Sequence, residues 1–141
     1  MGMKTLGLAL ATTAALMLPA QAEDALSDAV IDYMDFATYE QGIILPAQID
    51  EDVFNKATFI DTRDAGQFKA GHIKGAANIE WRQVPARLDE LPDSGLVILY
   101  CNTGSLSAQA VFAARLMGRE NVVVLQSGLI GWTADAAFHP D

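Results

Sequence analysis

Hydrophobic positions along this chain fall into three patterns, and each predicts a different element. From Leu6 to Leu18 the run LGLALATTAALML carries no charge. Beyond it, Leu26, Val30, Tyr33/Met34 and Ala37 recur at three- and four-residue spacing. That period predicts a helix over Asp24–Gln41, capped by Asp24 or Ser27 and ended by Gly42. Further on, short apolar runs predict strands at Thr58–Ile60, Ala76–Ile79, Leu96–Tyr100 and Val122–Leu125, while Ile43–Leu45 is a short run stopped by Pro46. The segment LVILY, bounded by Gly95 and Cys101, is continuously apolar and suits a strand buried on both faces. Helical or partly helical stretches lie between these runs: Pro46–Phe54, Gln67–Ala70, Val84–Leu91, Ser105–Met117 and Leu129–Ala137. Alternating short strands and helices predict an α/β domain built on a mainly parallel central sheet flanked by helices.

The first run has a separate meaning. Lys4, the uncharged stretch, Pro19 and the small-x-small site Ala20-Gln21-Ala22 occur in the order of a secretory signal peptide. The apolar run is too short to cross a bilayer, which takes about 20 residues. The expected division is a cleaved signal peptide at 1–22, an N-terminal helical extension at 23–42 and the main domain at 43–141. A buried N-terminal helix or an uncleaved anchor is the alternative. An Ala-x-Ala site is most simply bacterial, so the expected location is the periplasm, with no membrane association after cleavage.

Composition narrows the function classes. The 141 residues are 51% hydrophobic and 19% charged, which argues for a packed domain rather than disorder. A net charge of −9 disfavours nucleic acid as a partner. A single cysteine forbids an intrachain disulfide and a multi-thiolate metal site, and two histidines, His72 and His139, give little basis for an imidazole site. No metal and no cofactor are expected. In an exported protein an odd thiol is either reactive or a buried, inert small hydrophobe.

Position favours the reactive reading. Cys101 follows the strand LVILY and precedes a helix, and ligands of open α/β sheets bind outside the carboxyl ends of strands. The loop Cys101-Asn102-Thr103-Gly104-Ser105-Leu106-Ser107 is small and mostly polar, and Gly104 permits a tight turn. Its backbone N–H groups, with the helix N-terminus, predict an anion cradle that stabilises a thiolate.

Three stretches resemble the rhodanese domain family. Phe59-Ile60-Asp61-Thr62-Arg63-Asp64 is similar to that family's strand ending in Asp-x-Arg. Gln67–Ile79 contains Gly71-His72-Ile73-Lys74-Gly75-Ala76-Ala77-Asn78-Ile79, similar to its Gly-His-Ile-x-Gly-Ala-x-Asn-Ile signature. Val97–Trp132 carries the strand, the Cys loop, a helix, a strand, Gly128 and Trp132. The resemblance covers about Ile43–Thr133 and implies a parallel sheet flanked by helices. It also implies double-displacement sulfur transfer through a Cys101 persulfide, from thiosulfate or a persulfide to a thiol or cyanide acceptor, without a cofactor. A protein acceptor is a further possible partner.

Two positions depart from the pattern. Leu106 stands five after Cys101, where thiosulfate-using members often carry Arg, and Ser127 stands where many have the first Gly of a Gly-Gly pair. Leu106 weakens the case for thiosulfate as donor, unless Arg63, Arg82 or Arg87 supplies a compensating charge. It also keeps open a non-catalytic carrier or partner-binding module. A phosphatase or arsenate reductase of similar fold would carry Arg six after Cys101, where Ser107 stands.

Asp61 and Arg63 are possible supporting residues; Arg63 either reaches the site's rim or only pairs with Asp61 or Asp64. His72 is expected to hold a turn, Trp81 and Trp132 to pack, His139 to be solvated, and Asp50-Glu51-Asp52 to be a solvated helix start. Tyr33, Phe36 and Tyr39 of the N-terminal extension are expected to be core or docking contacts, or a partner surface.

Overall fold

A computed structural model describes residues 18–140. Lys4 and most of the apolar run of the expected signal peptide lie outside the described residues. The contacts divide the chain between Phe36 and Ala37. Helix α1 spans Leu18–Phe36, so it begins earlier and ends sooner than the expected Asp24–Gln41. It runs through Pro19 and Ala22-Glu23. After Phe36 the chain leaves the helix for turns closed by Gln41 N–H on Thr38 O (3.2 Å) and Ile43 N–H on Glu40 O (3.3 Å). Phe36 and Tyr39 are exposed. Among the described residues no helix is long and apolar enough to cross a membrane.

From Ala37 onward the chain forms a five-stranded, wholly parallel sheet. Its strands are β1 (Ile43–Ile44), β2 (Thr58–Asp61), β3 (Ala77–Asn78), β4 (Val97–Tyr100) and β5 (Val122–Leu125). They lie in the order β1-β5-β4-β2-β3. Every residue of β4 is buried, as its unbroken apolar sequence requires of a central strand. Side chains alternate between the faces. Val97 and Leu99 join a core with Ile60, Val84, Ala110 and Ala114, while Ile98 and Tyr100 join one with Ile49, Phe59, Leu125 and Trp132.

The helices of this unit are α2 (Glu51–Lys56), α3 (Ala65–Ala70), α4 (Ser105–Leu116) and α5 (Gly128–Asp135). The expected single helix Pro46–Phe54 is two pieces, a 3-10 turn at Pro46–Gln48 and α2. Asp50 separates them: its backbone is extended and its carboxylate accepts the Val53 N–H at 2.9 Å as an N-cap. Asp50-Glu51-Asp52 is thus an exposed helix start, as expected, and Lys56 pairs with Asp52 one turn on. The expected helix Val84–Leu91 is instead a 3-10 segment over Trp81–Glu90, with Pro85 inside it and Arg87 off helical geometry. Proline removes a donor and clashes with the preceding turn, so no α-helix propagates there.

Ser127, just before α5, has φ of 62° and makes no side-chain capping bond. A non-glycine residue there carries a steric cost of about 1–2 kcal/mol, against roughly 0.5–1 kcal/mol of extra unfolded-state entropy for glycine. Ser127→Gly should therefore stabilise the domain by about 0.5–1 kcal/mol, read as a higher denaturant midpoint at unchanged slope.

Candidate active site

Parallel strands place their carboxyl ends together, so the chain segments leaving β2 and β4 meet at one edge. Cys101 is the first residue after β4 and is 3% exposed. The loop that follows turns its carbonyls away from the thiol. Cys101 O accepts from Leu129 N–H (2.8 Å) and Asn102 O from Ile130 N–H (3.1 Å), both at the start of α5. Gly104 O accepts from Ala108 N–H (2.8 Å) and from the Ser107 hydroxyl (3.0 Å). The amides of Thr103, Leu106 and Ser107 are left to face Sγ.

Two glycines make this possible. Gly104 has φ of 89° as the residue before α4, a conformation that side chains disfavour. Gly128 lies against the loop so closely that a Cβ there would come within 2.4 Å of Cys101 O. Backbone thus packs on backbone between α5 and the cysteine loop.

Burial pushes the Cys101 thiol up, but the Ser107 N–H, the Ser107 hydroxyl and the amides of Thr103 and Leu106 outweigh it. The net effect holds the thiol below its ordinary value. The Ser107 hydroxyl lies 3.6 Å from Sγ and is fully buried. Only the thiolate is nucleophilic, so reactivity rises with pH through the thiol pKa and levels off above it. Iodoacetamide alkylation should therefore reach its plateau at a lower pH than an ordinary cysteine does. In Ser107→Ala the inflection should move up toward the ordinary range, because one donor is lost while the Ser107 amide stays. An unmoved inflection would show that the hydroxyl has no part in stabilising the thiolate.

Asp61 ends β2 and is fully buried. Its carboxylate accepts from Arg63 Nε (2.9 and 3.1 Å), Arg63 Nη2 (2.5 Å) and the Arg63 amide (3.0 Å). The bonded carboxylate raises the Arg63 guanidinium above its usual value. Arg63 also donates to Gly71 O (2.6 Å) and Asn102 Oδ1 (3.3 Å). Arg63 therefore does not only pair with Asp61: it also reaches the cysteine loop and lines the cavity. Asn102 Nδ2 in turn donates to Gln67 Oε1 of α3 at 2.7 Å.

The Gly-His-Ile stretch supports this arrangement. Ile73 N–H donates to the buried Tyr100 hydroxyl (3.0 Å), and Asn78 Nδ2 donates to Asp61 O and Arg63 O (2.9 Å each). His72 stacks on Phe68 with centroids 3.9 Å apart, and its Nδ1 lies 2.9 Å from Phe68 O, a turn-holding role as expected. Trp132 is buried among Phe54 and Phe59. His139 is exposed, but its ring also contacts the Trp132 edge at 5.4 Å.

A cavity of about 420 Å³ opens above Cys101. The cysteine loop contributes Asn102, Thr103 and Leu106 to its wall; Gly104, Ser105 and Ser107 do not line it. Of the three arginines named for a compensating charge, Arg63 and Arg82 line the cavity. Arg87 does not, and it pairs with Glu90 at 2.6 Å. Thr62, Asp64, Gln67, Glu80 and Trp81 also line it, although the sequence singles out none of them as a site residue and assigns Trp81 to packing. Trp81 does both, since it also rests against the core. The available signal was their place just after strands β2 and β3, beside the Asp-x-Arg turn. Among the described residues no cluster of metal-ligating side chains occurs.

Comparison with known proteins bears on this geometry. Residues 45–135 match the rhodanese-like domain family. An uncharacterised Bacillus subtilis protein, YqhL, is 34% identical over 79 residues, covering 56% of this chain and 63% of that protein. This chain therefore spans just under two thirds of that relative. The thiosulfate sulfurtransferase PspE of Escherichia coli is 36% identical over 72 residues, covering 50% of this chain and 69% of that one. A rhodanese-related protein from Thermoplasma volcanium shares the fold with a TM-score of 0.60 at 23% identity, over 69% of this chain and 93% of its own.

Proposed function

The chain belongs to the rhodanese-like domain family, and on that basis we propose that it is a sulfurtransferase carrying sulfane sulfur on Cys101. The observation that carries this reading is the thiol's setting. Cys101 lies in the wall of a cavity, at the focus of three loop amides and one hydroxyl that favour its anion. Such a sulfur is a nucleophile, and the same cradle suits the persulfide anion that follows.

In the first half-reaction the Cys101 thiolate bonds to the outer sulfur of a donor. With thiosulfate, the donor's sulfur–sulfur bond breaks and its electron pair leaves on sulfite. Charge balances, since a thiolate and a dianion become a persulfide monoanion and a sulfite dianion. In the second half-reaction a thiolate or cyanide acceptor attacks the outer sulfur and Cys101 leaves as thiolate. The exchange balances without a redox cofactor. Splitting one transfer into two steps lets donor and acceptor use the site in turn.

The cradle residues are Asn102, Thr103, Gly104, Ser105, Leu106 and Ser107, with amides of Thr103, Leu106 and Ser107 on the sulfur. Asp61 and Arg63 position them through Asn102. Oxyanion chemistry of the phosphatase kind is disfavoured, because Ser107 stands where a loop cation would be needed. A small thiol and a partner protein's thiol both suit the acceptor step, and a carrier role that hands sulfur to a partner shares the same Cys101 persulfide. The signal-like N-terminus supports action in the periplasm.

The test is intact-mass spectrometry after incubation with thiosulfate or an organic persulfide. A gain of one sulfur atom, mapped to Cys101 and discharged by added thiol or cyanide, is the expected result. No sulfur gain with any donor would refute the reading.

A further inference from the structure

From the walls of the cavity we infer that the preferred donor is an organic persulfide bearing a carboxylate, with Arg82 as the group that recognises that carboxylate. The inference rests on the sulfurtransferase reading above. It starts from the charges around the cavity. Arg63 is already charge-compensated: it makes three side-chain contacts with the Asp61 carboxylate and one each with Gly71 O and Asn102 Oδ1. Asp64 is committed to capping α3, accepting from the amides of Gly66 (2.9 Å) and Gln67 (3.0 Å). Leu106 occupies the loop position beside the thiol and is 41% exposed. Lys69 of α3 does not line the cavity, so no unpaired cation lines it from the loop, from β2 or from α3.

Arg82 differs from Arg63. Its amide and its Nε both bond to the Glu80 carboxylate (3.0 and 2.9 Å), and its guanidinium sits 5.8 Å from the Trp81 ring centroid. Those contacts hold the group at the cavity wall, with its side chain 73% exposed, and leave its two terminal nitrogens unpaired among the described residues. The terminal edge of a guanidinium matches a carboxylate in two parallel hydrogen bonds. The same wall offers Trp81 and Leu106, which suit a carbon chain.

Thiosulfate fits this wall poorly. It brings two negative charges directly to a thiolate whose own donors are three amides and one hydroxyl, with no cation among them, and like charges at such range repel strongly. It would also occupy a small part of a cavity of about 420 Å³. A protonated persulfide R–S–SH presents a neutral sulfur to the thiolate and keeps its carboxylate at the far end. Sγ then bonds to the outer sulfur, the donor's sulfur–sulfur bond breaks, and the electron pair leaves on R–S⁻. The proton stays with the transferred sulfur until the cradle favours its loss. Sulfur is transferred without net oxidation or reduction.

The experiment compares three donors on the purified protein: thiosulfate, cysteine persulfide and cysteamine persulfide, which lacks the carboxylate. The readout is the kcat/KM for sulfur loading of Cys101. Cysteine persulfide is expected to exceed thiosulfate by at least tenfold. The ratio of cysteine to cysteamine persulfide should fall about fivefold in Arg82→Gln, through KM, a modest factor because the pair is partly solvated. Arg87→Gln, outside the cavity, should leave that ratio where it is. Thiosulfate outpacing cysteine persulfide, or a ratio unaffected by Arg82→Gln, would overturn the inference while leaving sulfur transfer standing. Failure of every donor to load Cys101 would instead overturn the sulfurtransferase reading and this inference with it.

Discussion

Cys101→Ser should abolish sulfur transfer, by a factor of at least about 10³ in turnover, while the domain stays folded. The hydroxyl that replaces the thiol is protonated at any pH the protein tolerates, so three amides and a hydroxyl have no anion to stabilise. It also cannot carry sulfane sulfur as a persulfide. The cost in stability should be small, about 1 kcal/mol, because a serine oxygen can accept from the same Ser107 and Leu106 amides. The measurement pairs a sulfite-release or thiol-persulfidation assay with a thermal melt. A folded Cys101→Ser protein that still turns over would show that another group carries the sulfur.

Arg63→Ala should be the most destabilising single change in the supporting network. Asp61 is fully buried, and three of the contacts to its carboxylate come from the Arg63 side chain. Removing one member of a buried pair leaves a desolvated charge without compensation, which costs about 3–5 kcal/mol. For a domain of this size that lowers Tm by on the order of 15 °C. Activity should fall in whatever folded protein remains, because Asn102 then loses its Arg63 contact and keeps only Gln67. Arg63→Lys guards against simple misfolding. It keeps the charge but loses the forked geometry, so a loss about half as large is expected. If Arg63→Ala melts within a few degrees of the parent, Asp61 has other support and the pair is not structural.

The two variants probe parts of the site that differ in how far the sequence exposed them. Cys101 was legible because its context is local: an unbroken apolar strand, a polar loop with one glycine, then a helix with three- and four-residue spacing. The Leu106 and Ser127 departures were equally legible, since each is a single residue at a counted offset. Both have structural consequences. Leu106 lies in the cavity wall and Ser127 sits at positive φ. Arg63 was legible only as an open choice, because nothing in Asp61-Thr62-Arg63 says whether the guanidinium folds back or reaches forward. The structure shows a pairing with Asp61 that does not stop there, through a side chain long enough to bond Asp61, Gly71 and Asn102 together. Arg82 was legible only as one of three arginines that could supply a charge, and Trp81 only as a packing residue. Their role depends on the turn after β3 approaching a loop that lies far along the chain.

The sequence by itself determined the class of fold and singled out Cys101 as the candidate nucleophile. Strand burial, helix period and the strand–Cys–loop–helix order are short-range properties, written in neighbouring residues and read without knowing what packs where. The helix ends were less secure, as α1 and the Trp81–Glu90 segment show. Capping and a proline's lost hydrogen bond compete there with a period that takes no account of them. Only the tertiary structure decided the strand order β1-β5-β4-β2-β3, the sheltering of the Asp61–Arg63 pair and the residues around the cavity. Each of these joins segments distant in sequence. Their geometry is set by which strands pair and by how closely Gly128 lets α5 approach the cysteine loop. Local patterning encodes which face of an element is apolar, and not which neighbour that face meets.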